Sequence, residues 1–598
     1  MKLKRTIISI VALMLAVCLM PTALAATWYL EDGDITVIAD ENGQSVKQGS
    51  NSAVADSDTV ITQRDSEKAT DNTITVSTTD DATANITIED VNINSYGDAI
   101  DVGSSGANIT LEGDNKLNSE YGSGLHVSDG DVTITGSGSL EAGSKNDSNN
   151  NAAIGSHENE AMSGDITIGG DAQVTAVSRD DGAGIGSGDM GEMSGDITIG
   201  DNAQVTAWSE TGGAGIGSGR ESNMSGNITI GGSAQVTAGS NSETAGIGSG
   251  NNGVFTSTGR VVIRDSAKVT AIGENEGAGI GTGEDELMAG MIIIQDNAQV
   301  TAIAGDRAAA IGSDNLDEMT GTIIIIGNAR VTTGILDDDD VYFDYNTKEI
   351  KYTLDENATG YIGDSKYSNH ESDEGHYIIG PDVTINGISG SDIEALKDYI
   401  NMRLSGENHD GEPENLTKLD VRSENGEFTV TAEGEGAVEK ILYGGSENVP
   451  TAPGTYPVTC VVRIGEETIE FQIDTYVVPE PAPQPEPMAH HTRIQLYRVA
   501  DKQGRSIAYK AVQKGGVLTI TTYEKEAQLI IEHGGLFALS RQGITKIVFV
   551  TASKKSAISV GAAMEKGSGE FVLLHSYRKV KLTVAGAAVD ADGILIKE

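Results

Sequence analysis

Ala183-Gly-Ile-Gly-Ser-Gly188 is one of six closely similar stretches that follow one another at a nearly constant spacing. Their central residues are Ile154, Ile185, Ile216, Ile247, Ile280 and Ile311. Four of the five intervals are 31 residues long and the other is 33. A fixed period of this length is typical of stacked repeats, because no single repeat can bury its own apolar face. The repeat, rather than any local motif, therefore decides the fold.

Each period also contains two other short runs in which apolar and polar residues alternate. The first has the form Gly-x-Ile-Thr-Ile, as at 164–168, and the second is Ala-Gln-Val-Thr-Ala, as at 172–176. Alternation with period two predicts β-strands. Shorter equivalents begin at Asn85, Asn108 and Asp131, so the pattern predicts about nine turns. Three strands per period indicate a mainly β protein built on a right-handed parallel β-helix.

One outward-facing column changes its chemistry along the array. Its early members are Thr167, Thr198 and Thr229, and its later members are Val262, Ile293 and Ile324. An apolar column on an outer face is expected to be covered. We predict that the later chain packs on it, with the 346–400 segment as the first candidate, and a partner or oligomer contact as the alternative.

Charge and the N-terminal residues limit the class of protein. The chain of 598 residues has a net charge of −49, which argues against nucleic acid as a ligand. Three basic residues, an apolar run and Ala23-Leu-Ala predict a signal peptide over 1–25, and hence a secreted or cell-surface protein. We expect no transmembrane segment in the mature protein. Cys460 is then the one remaining cysteine, so no intrachain disulfide is expected.

Composition divides the rest of the chain into segments. The β-helix is expected over 26–345, and a connecting segment with one helix over 346–412. The run Ala452-Pro-Gly-Thr-Tyr-Pro-Val-Thr resembles bacterial Ig-like spacer modules, which implies an Ig-like β-sandwich over 413–478. A Pro-rich linker is expected over 479–489. A small, mainly β C-terminal domain is predicted over 490–598, where 16 Lys and Arg face 9 Asp and Glu between 488 and 598.

The N-terminal part of the array resembles a known family. The similarity lies in Trp28-Tyr-Leu, Asn85-Ile-Thr-Ile-Glu-Asp-Val-Asn-Ile and Gly97-Asp-Ala-Ile-Asp-Val, together with the repeat pattern over 28–335. These stretches are similar to the clostridial carbohydrate-binding parallel β-helix family, which has a pectate-lyase-like fold. The resemblance implies an affinity for acidic plant polysaccharides, assisted by calcium. It transfers no ligand-binding residue individually.

Carboxylates are frequent after the second run of each repeat. Stacked turns lie about 4.8 Å apart, so carboxylates of successive turns can share a calcium ion, which binds six to eight oxygens. The alternative is that these acids are solvated loop residues. The candidate calcium ligands are Asp180, Asp181, Glu210, Glu243, Glu274 and Glu276.

Trp208, Arg179 and Arg220 are the candidate carbohydrate-binding residues. Trp208 replaces Val177 and Gly239 in its column and is expected to be exposed, so that its indole can stack on a sugar. The alternative is a tryptophan tolerated at a loop edge. His126 and His157 are isolated in the sequence and predict no metal-ligand motif.

These observations favour a secreted or cell-surface, non-catalytic, adhesin-like protein that binds polysaccharide. The expected partner is an extracellular acidic polysaccharide or a host or cell-envelope surface, with calcium as the one expected cofactor. The first alternative is a calcium-dependent polysaccharide lyase or another β-helix carbohydrate-active enzyme, in which Arg179 beside Asp180 would be the best candidate base. The second is a structural surface stalk. We assign no catalytic residue.

Overall fold

Three long sheets, built mostly from parallel strands, dominate the computed structural model of the chain. The structure describes residues 26–598 except for 80–81, 145, 147–148, 285–286, 314–318, 356–357, 364–374, 397–398, 402–415, 425–426, 435, 465–466, 479–495, 532–534, 567–569, 577–578, 586, 590–593 and 597–598. The predicted signal peptide and the predicted Pro-rich linker lie outside the described residues. In the described part, no helix has the length and apolar character needed to cross a membrane.

Each repeat contributes one strand to each sheet. Sheet 1 contains Thr27–Tyr29, Thr59–Thr62, Thr83–Glu89, Gly106–Glu112, Val132–Gly136, Ile166–Ile168, Ile197–Ile199, Asn227–Ile230, Arg260–Ile263, Met291–Ile294, Thr322–Ile325, His376–Ile379, Leu416–Glu424 and Glu427–Gly434. Sheet 2 contains Asn92–Ser95, Asp114–Ser119, Ser139–Ser144, Gln173–Ser178, Gln204–Ser209, Gln235–Ser240, Lys268–Ile272, Gln299–Ala304, Arg330–Asp344, Glu349–Leu354, Thr384–Ile385 and Ile388–Ser389. Sheet 3 contains Ile35–Asp40, Gly43–Gln48, Val54–Ala55, Ile74–Thr78, Ile100–Gly103, Leu125–Val127, Ile154–Gly155, Ile185–Gly186, Ile216–Gly217, Ile247–Gly248, Ile280–Gly281, Ile311–Gly312, Ile362–Gly363 and Ile400–Asn401.

Equivalent residues of successive repeats pair directly. In sheet 1, Ile166 pairs with Ile197, and Ile197 with Ile228. The same one-to-one register holds in sheets 2 and 3. The prediction of a mainly β protein with long parallel sheets is confirmed, and the arrangement is consistent with a parallel β-helix.

The core lies between the three sheets and is filled by the apolar member of each alternating run. Ile197, Val205 and Ile216 are typical of this core and are at most 2% exposed. Burying one such side chain stabilises the fold by about 1.5–3 kcal/mol. A methionine column, which Phe255 interrupts, bridges neighbouring repeats between the strands of sheets 3 and 1. The regular repeat thus produces one continuous core.

In the regular repeats from Ile154 to Gly312, the glycine that follows the isoleucine of sheet 3 is required by close backbone approach. Gly186, Gly217 and Gly248 have φ between +140° and +142°. A Cβ on Gly217 would lie 1.8 Å from the carbonyl oxygen of Gly248, and the equivalent distance from Gly186 to Gly217 is 1.7 Å. No side chain fits at such distances, so the Ile-Gly pair repeats from Ile154 to Gly312 because the close approach there excludes every other residue.

At the corner between sheets 1 and 2, the equivalent position of successive repeats is occupied by either glycine or aspartate. Gly170, Asp201 and Gly232 occupy equivalent positions, all with φ between +53° and +67°. Aspartate tolerates this conformation better than most residues. The Asp201 carboxylate also accepts a hydrogen bond from the backbone amide of Gly170 at 2.9 Å. Some of the many acids therefore satisfy backbone amides at the corners.

The apolar outward column is covered, as predicted, but by a different segment. Ile293 and Ile324 are at most 3% exposed and pack against Leu419, Val462 and Phe471. The cover is a three-stranded antiparallel sheet of Gly436–Tyr443, Gly454–Ile464 and Glu467–Val478, together with the hairpin that ends sheet 1. The expectation of a cover from 346–400 was wrong, because the strands that alternate strongly enough to bury a full face come later. Cys460 lies in this interface, where burial raises the pKa of its thiol to about 12.

A second antiparallel extension lies along sheet 2. The strand Arg330–Asp344 begins in the parallel sheet and then leaves it to pair with Glu349–Leu354. Phe343 and Ile350 of this hairpin pack on Trp208 and Ile303, which point outward from sheet 2. Near its tip, Lys348 forms an ion pair with Glu141.

The chain divides into two compact units, Met1–Glu480 and Pro481–Glu598. The second unit contains two five-stranded sheets and the helices Gly535–Arg541 and Val560–Met564; the first unit contains the short helices Leu30–Asp32 and Ile393–Leu396. One sheet of the second unit contains Tyr497–Ala500, Ala527–Ile531, Phe571–His575, Val580–Val584 and Ala587–Ala588. The other contains Lys510–Lys514, Val517–Thr521, Lys546–Val550, Lys555–Ser559 and Leu595–Ile596.

Replacing Gly217 by alanine tests the glycine column. We expect Gly217→Ala to lower the free energy of unfolding by at least about 3 kcal/mol, because the new Cβ must displace a neighbouring backbone. Gly200→Ala is the matched control, since a Cβ there meets no atom within 4 Å. Equilibrium urea unfolding measures both. Equal midpoints for the two variants would contradict the stacking described here.

His575 predicts an acid-sensitive C-terminal unit. Its side chain is fully buried beside Phe549, and burial, aided by the Lys554 charge, lowers its pKa to about 4. The unfolded chain has a pKa near 6.5, so this stability is complete above about pH 6.5 and is lost as the pH falls through about 4. The loss is at most roughly 3 kcal/mol. Pulse-labelled hydrogen exchange of Phe571–His575 in urea should show this loss of stability between pH 7 and pH 4. His575→Gln should remove the pH dependence of the free energy of unfolding of this unit.

Candidate functional site

An open depression runs across the outer face of sheet 2. Its volume is about 470 Å³. Two polar columns line it, because the alternating run Gln-Val-Thr sends glutamine and threonine outward while valine enters the core. Their members are Gln204, Gln235, Lys268 and Gln299, and Thr206, Thr237, Thr270 and Thr301. We call this surface the Gln-Thr face.

The Gln-Thr face carries positive charge at two places. Lys268 replaces glutamine in the first column, and Arg330 continues that column beyond Gln299. Both side chains are exposed. A hydrogen-bonding surface with a regular spacing of about 4.8 Å and isolated cations suits an extended polymer that carries both hydroxyl and carboxylate groups.

Trp208 is buried, and the expectation that it is exposed was wrong. It is 0% exposed, because the hairpin from Arg330 to Leu354 packs over it. Its indole Nε1 donates a hydrogen bond to Glu210 Oε2 at 2.8 Å. An indole without an exposed face cannot stack on a sugar. Trp208 instead anchors the hairpin. Trp208 and Thr206 point to the same side of their strand, so the hairpin lies beside the Gln-Thr face.

The two candidate arginines are engaged with neighbouring side chains. The guanidinium of Arg179 lies 4.4 Å from the ring centre of Tyr345, near the tip of the hairpin. Arg220 pairs with Asp181 at 3.3 Å and with Glu221 at 3.1 Å. Arg179 directly follows a strand of sheet 2 and Arg220 follows the sheet 3 strand Ile216–Gly217, and neither lines the Gln-Thr face.

Four of the six candidate calcium ligands are bound by side chains other than one another. Thr211 donates to Asp180 and Asp181, and Glu210 accepts from Trp208 and from the Tyr345 hydroxyl. Glu276 is paired with Arg307.

The other two are engaged as well. Asn275 Nδ2 donates to Glu243 at 2.9 Å, and the backbone amide of Ser242 donates to Glu274. Within the described residues, none of these six acids belongs to a group of three potential metal-binding side chains with ligand atoms within 4.8 Å of one another. The residues present do not form a ready calcium cage, and calcium binding stays a prediction.

Negative charge is nevertheless concentrated near Asp181. Asp189 is 2% exposed, and its Oδ1 atom has no hydrogen-bond partner. Burial and the charge of Asp181 raise the pKa of Asp189 to about 6. A cation at this corner would relieve that crowding.

Tyr96 and Tyr121 form an exposed aromatic pair that sequence reasoning did not identify. They are 72% and 52% exposed, and their ring centres lie 4.7 Å apart. Both follow strands of sheet 2 in successive repeats, and the backbone amide of Tyr121 donates to the carbonyl of Tyr96 at 3.0 Å. The signal in the sequence was their equivalent place in the shorter upstream repeats. Exposed tyrosine faces are suited to stacking on sugars.

His126 and His157 are brought together, although the sequence predicted that they are isolated. The two imidazoles stack with ring centres 3.8 Å apart and planes inclined by 3°. His126 lies in the strand Leu125–Val127, which pairs with Ile154–Gly155, and His157 follows two residues later. In register His126 pairs with Gly155, so His157 lies two residues beyond the equivalent position and the repeat pattern gave no signal for this contact.

Three carboxylates surround the stacked imidazoles. His126 Nδ1 lies 2.9 Å from Asp101 and its Nε2 lies 2.8 Å from Glu160, while His157 Nε2 lies 2.8 Å from Asp98. Burial opposes a charge on His126, but the hydrogen bonds to Asp101 and Glu160 and the charge of Asp98 outweigh it and raise its pKa to about 9. Burial likewise opposes a charge on Asp98, but hydrogen bonding to His157 outweighs it and lowers the pKa of Asp98.

Comparison of the chain with protein-family models, with curated proteins and with solved structures found no match.

Truncating Trp208 tests its structural role. We expect Trp208→Ala to lower the free energy of unfolding by about 3–5 kcal/mol, because a large buried side chain is removed. Hydrogen exchange of Glu349–Leu354 should accelerate. Tyr342→Ala is the matched control on the same hairpin, since Tyr342 is 52% exposed. Unchanged exchange in Trp208→Ala would show that Trp208 does not hold the hairpin.

Proposed function

We propose that this is a secreted or cell-surface, non-catalytic protein that binds polysaccharide and acts as an adhesin. The observation that carries the proposal is the Gln-Thr face, an open polar surface with repeated donors and acceptors and no enclosed pocket. A polymer lying along the stack would meet equivalent groups in successive repeats, so that weak single contacts add up.

The cations of the Gln-Thr face favour an acidic glycan. Residues before 488 carry a large excess of acid, so a polyanion is repelled by most of the surface. Lys268 and Arg330 provide local sites for carboxylates on a face otherwise lined by neutral side chains. Calcium is the second means of overcoming the repulsion, and the crowded acids around Asp181 and Asp189 support testing it.

The proposal also assigns roles to the segments of the chain. We propose a right-handed β-helix of about nine turns over 26–345 that presents the binding surface. The Ig-like module 413–478, whose strands also cover the apolar column of sheet 1, and the linker 479–489 act as spacers. The basic C-terminal domain 490–598 then meets the cell envelope or another anionic partner.

Retention on polygalacturonate tests the proposal. The purified chain without its predicted signal peptide is applied to the immobilised polymer with and without calcium, and the soluble polymer is monitored for ultraviolet absorbance of unsaturated products. Retention without a rise in absorbance supports a binding protein, and greater retention with calcium supports calcium assistance. A steady rise would favour the lyase. Absence of both signals would favour a protein-binding adhesin or a stalk.

Charge reversal at Lys268 locates the binding surface. We expect Lys268→Glu to weaken retention at least about tenfold, equal to about 1.4 kcal/mol, because it sets a carboxylate against the anionic polymer. Lys47→Glu makes the same change at an exposed position in sheet 3, and should leave retention unchanged. A Tyr96→Ala variant separates the aromatic pair from the Gln-Thr face. Equal effects of Lys268→Glu and Lys47→Glu would contradict binding on the Gln-Thr face.

A further inference from the structure

We propose that Asp98, His126 and His157 form a binding site for one divalent transition-metal ion of the Zn²⁺ type. Each residue offers a ligand atom, and these atoms lie within 4.8 Å of one another. The three residues come from three successive repeats and converge because the repeats stack in register.

The ligand chemistry selects the class of metal. Two imidazoles and one carboxylate suit Zn²⁺ and related ions, whereas Ca²⁺ and Mg²⁺ prefer oxygen ligands. Three protein ligands leave a coordination position for water or for a group of a bound molecule. This site therefore differs in kind from the calcium predicted at the corners.

Electrostatics favour a cation at this place. Asp98, Asp101 and Glu160 lie around the two imidazoles, and in the described part of the chain no Lys or Arg forms an ion pair with them. The Asp98 side chain is 15% exposed and that of His126 is 9% exposed. Partly buried carboxylates in excess over cations are costly, and a divalent ion compensates them.

Asp101 and Glu160 have a supporting role in the proposal. In metal sites a coordinating imidazole commonly donates its other ring N–H to a carboxylate, which fixes the tautomer and the ring orientation. His126 holds a carboxylate at each nitrogen, so metal binding releases the proton of one ring nitrogen to solvent, replaces that hydrogen bond by a metal–nitrogen bond and keeps the other hydrogen bond. Because parallel rings 3.8 Å apart cannot both direct a ring nitrogen at one ion, binding requires one imidazole to rotate out of the stack.

Titration of the chelator-treated, full-length mature chain with Zn²⁺ alone tests the site. We expect one Zn²⁺ per chain by calorimetry and a higher melting temperature with Zn²⁺. His157→Gln and Asp98→Asn should each weaken binding by at least about a hundredfold, and Asp101→Asn by about tenfold. His376→Gln is the control, because it removes an imidazole from another strand of the same unit and should leave binding unchanged.

Two measurements keep the outcome decisive if a variant is unstable. Circular dichroism checks that each variant is folded, and Co²⁺ binding to the unaltered chain should give the visible spectrum of a site with nitrogen ligands. Absence of Zn²⁺ binding in the unaltered chain would overturn the proposal and leave an ion-paired histidine cluster. Binding that persists in folded His157→Gln and Asp98→Asn would overturn it too. Neither result depends on retention by polygalacturonate.

Discussion

Backbone contact between glycines of successive repeats is the constraint on which the rest of the structure depends. Gly186, Gly217 and Gly248 approach so closely that no Cβ fits between them, and their φ values suit no other residue. This contact sets the stacking distance and fixes the register of the regular repeats from Gly155 to Gly363. Once the register is fixed, inward isoleucines meet inward isoleucines and outward threonines meet outward threonines. Both the core and the outer columns follow from it.

Because of the same register, equivalent residues of successive repeats lie side by side and form continuous surfaces. The Gln-Thr face exists because Gln204 lies beside Gln235. Lys268 lies on this face because it occupies the next position of the glutamine column. Acids also take different roles in different columns. Asp201 satisfies a backbone amide at a corner, whereas Asp98 lies among imidazoles. The strongly negative composition is therefore not a property of one site, and its local consequences depend on what each stacked neighbour offers.

Much of this architecture was predictable from the sequence because periodicity reports the stacking directly. The parallel sheets, the inward isoleucines and the covering of Ile293 and Ile324 followed from spacing and alternation. The burial of Trp208 did not, because the hairpin that covers it lies more than a hundred residues away in the sequence. The contact of His126 with His157 was not visible in the repeat pattern, because His126 is in register with Gly155 and His157 lies two residues further along the chain. Features that depend on antiparallel extensions or on changes of period were missed, while features within the regular array were found.

Distances between repeats test the central claim, which is stacking in register, most directly. Spin labels are placed in pairs on the exposed column of sheet 2, in a Cys460→Ser background, at Gln173 with Lys268 and at Gln173 with Arg330. These pairs are separated by three and five register steps. At about 4.8 Å per step, electron–electron distance measurements should give backbone separations near 14 and 24 Å with narrow distributions. Broad distributions, or distances that do not increase in proportion to the number of repeats, would contradict stacking in register.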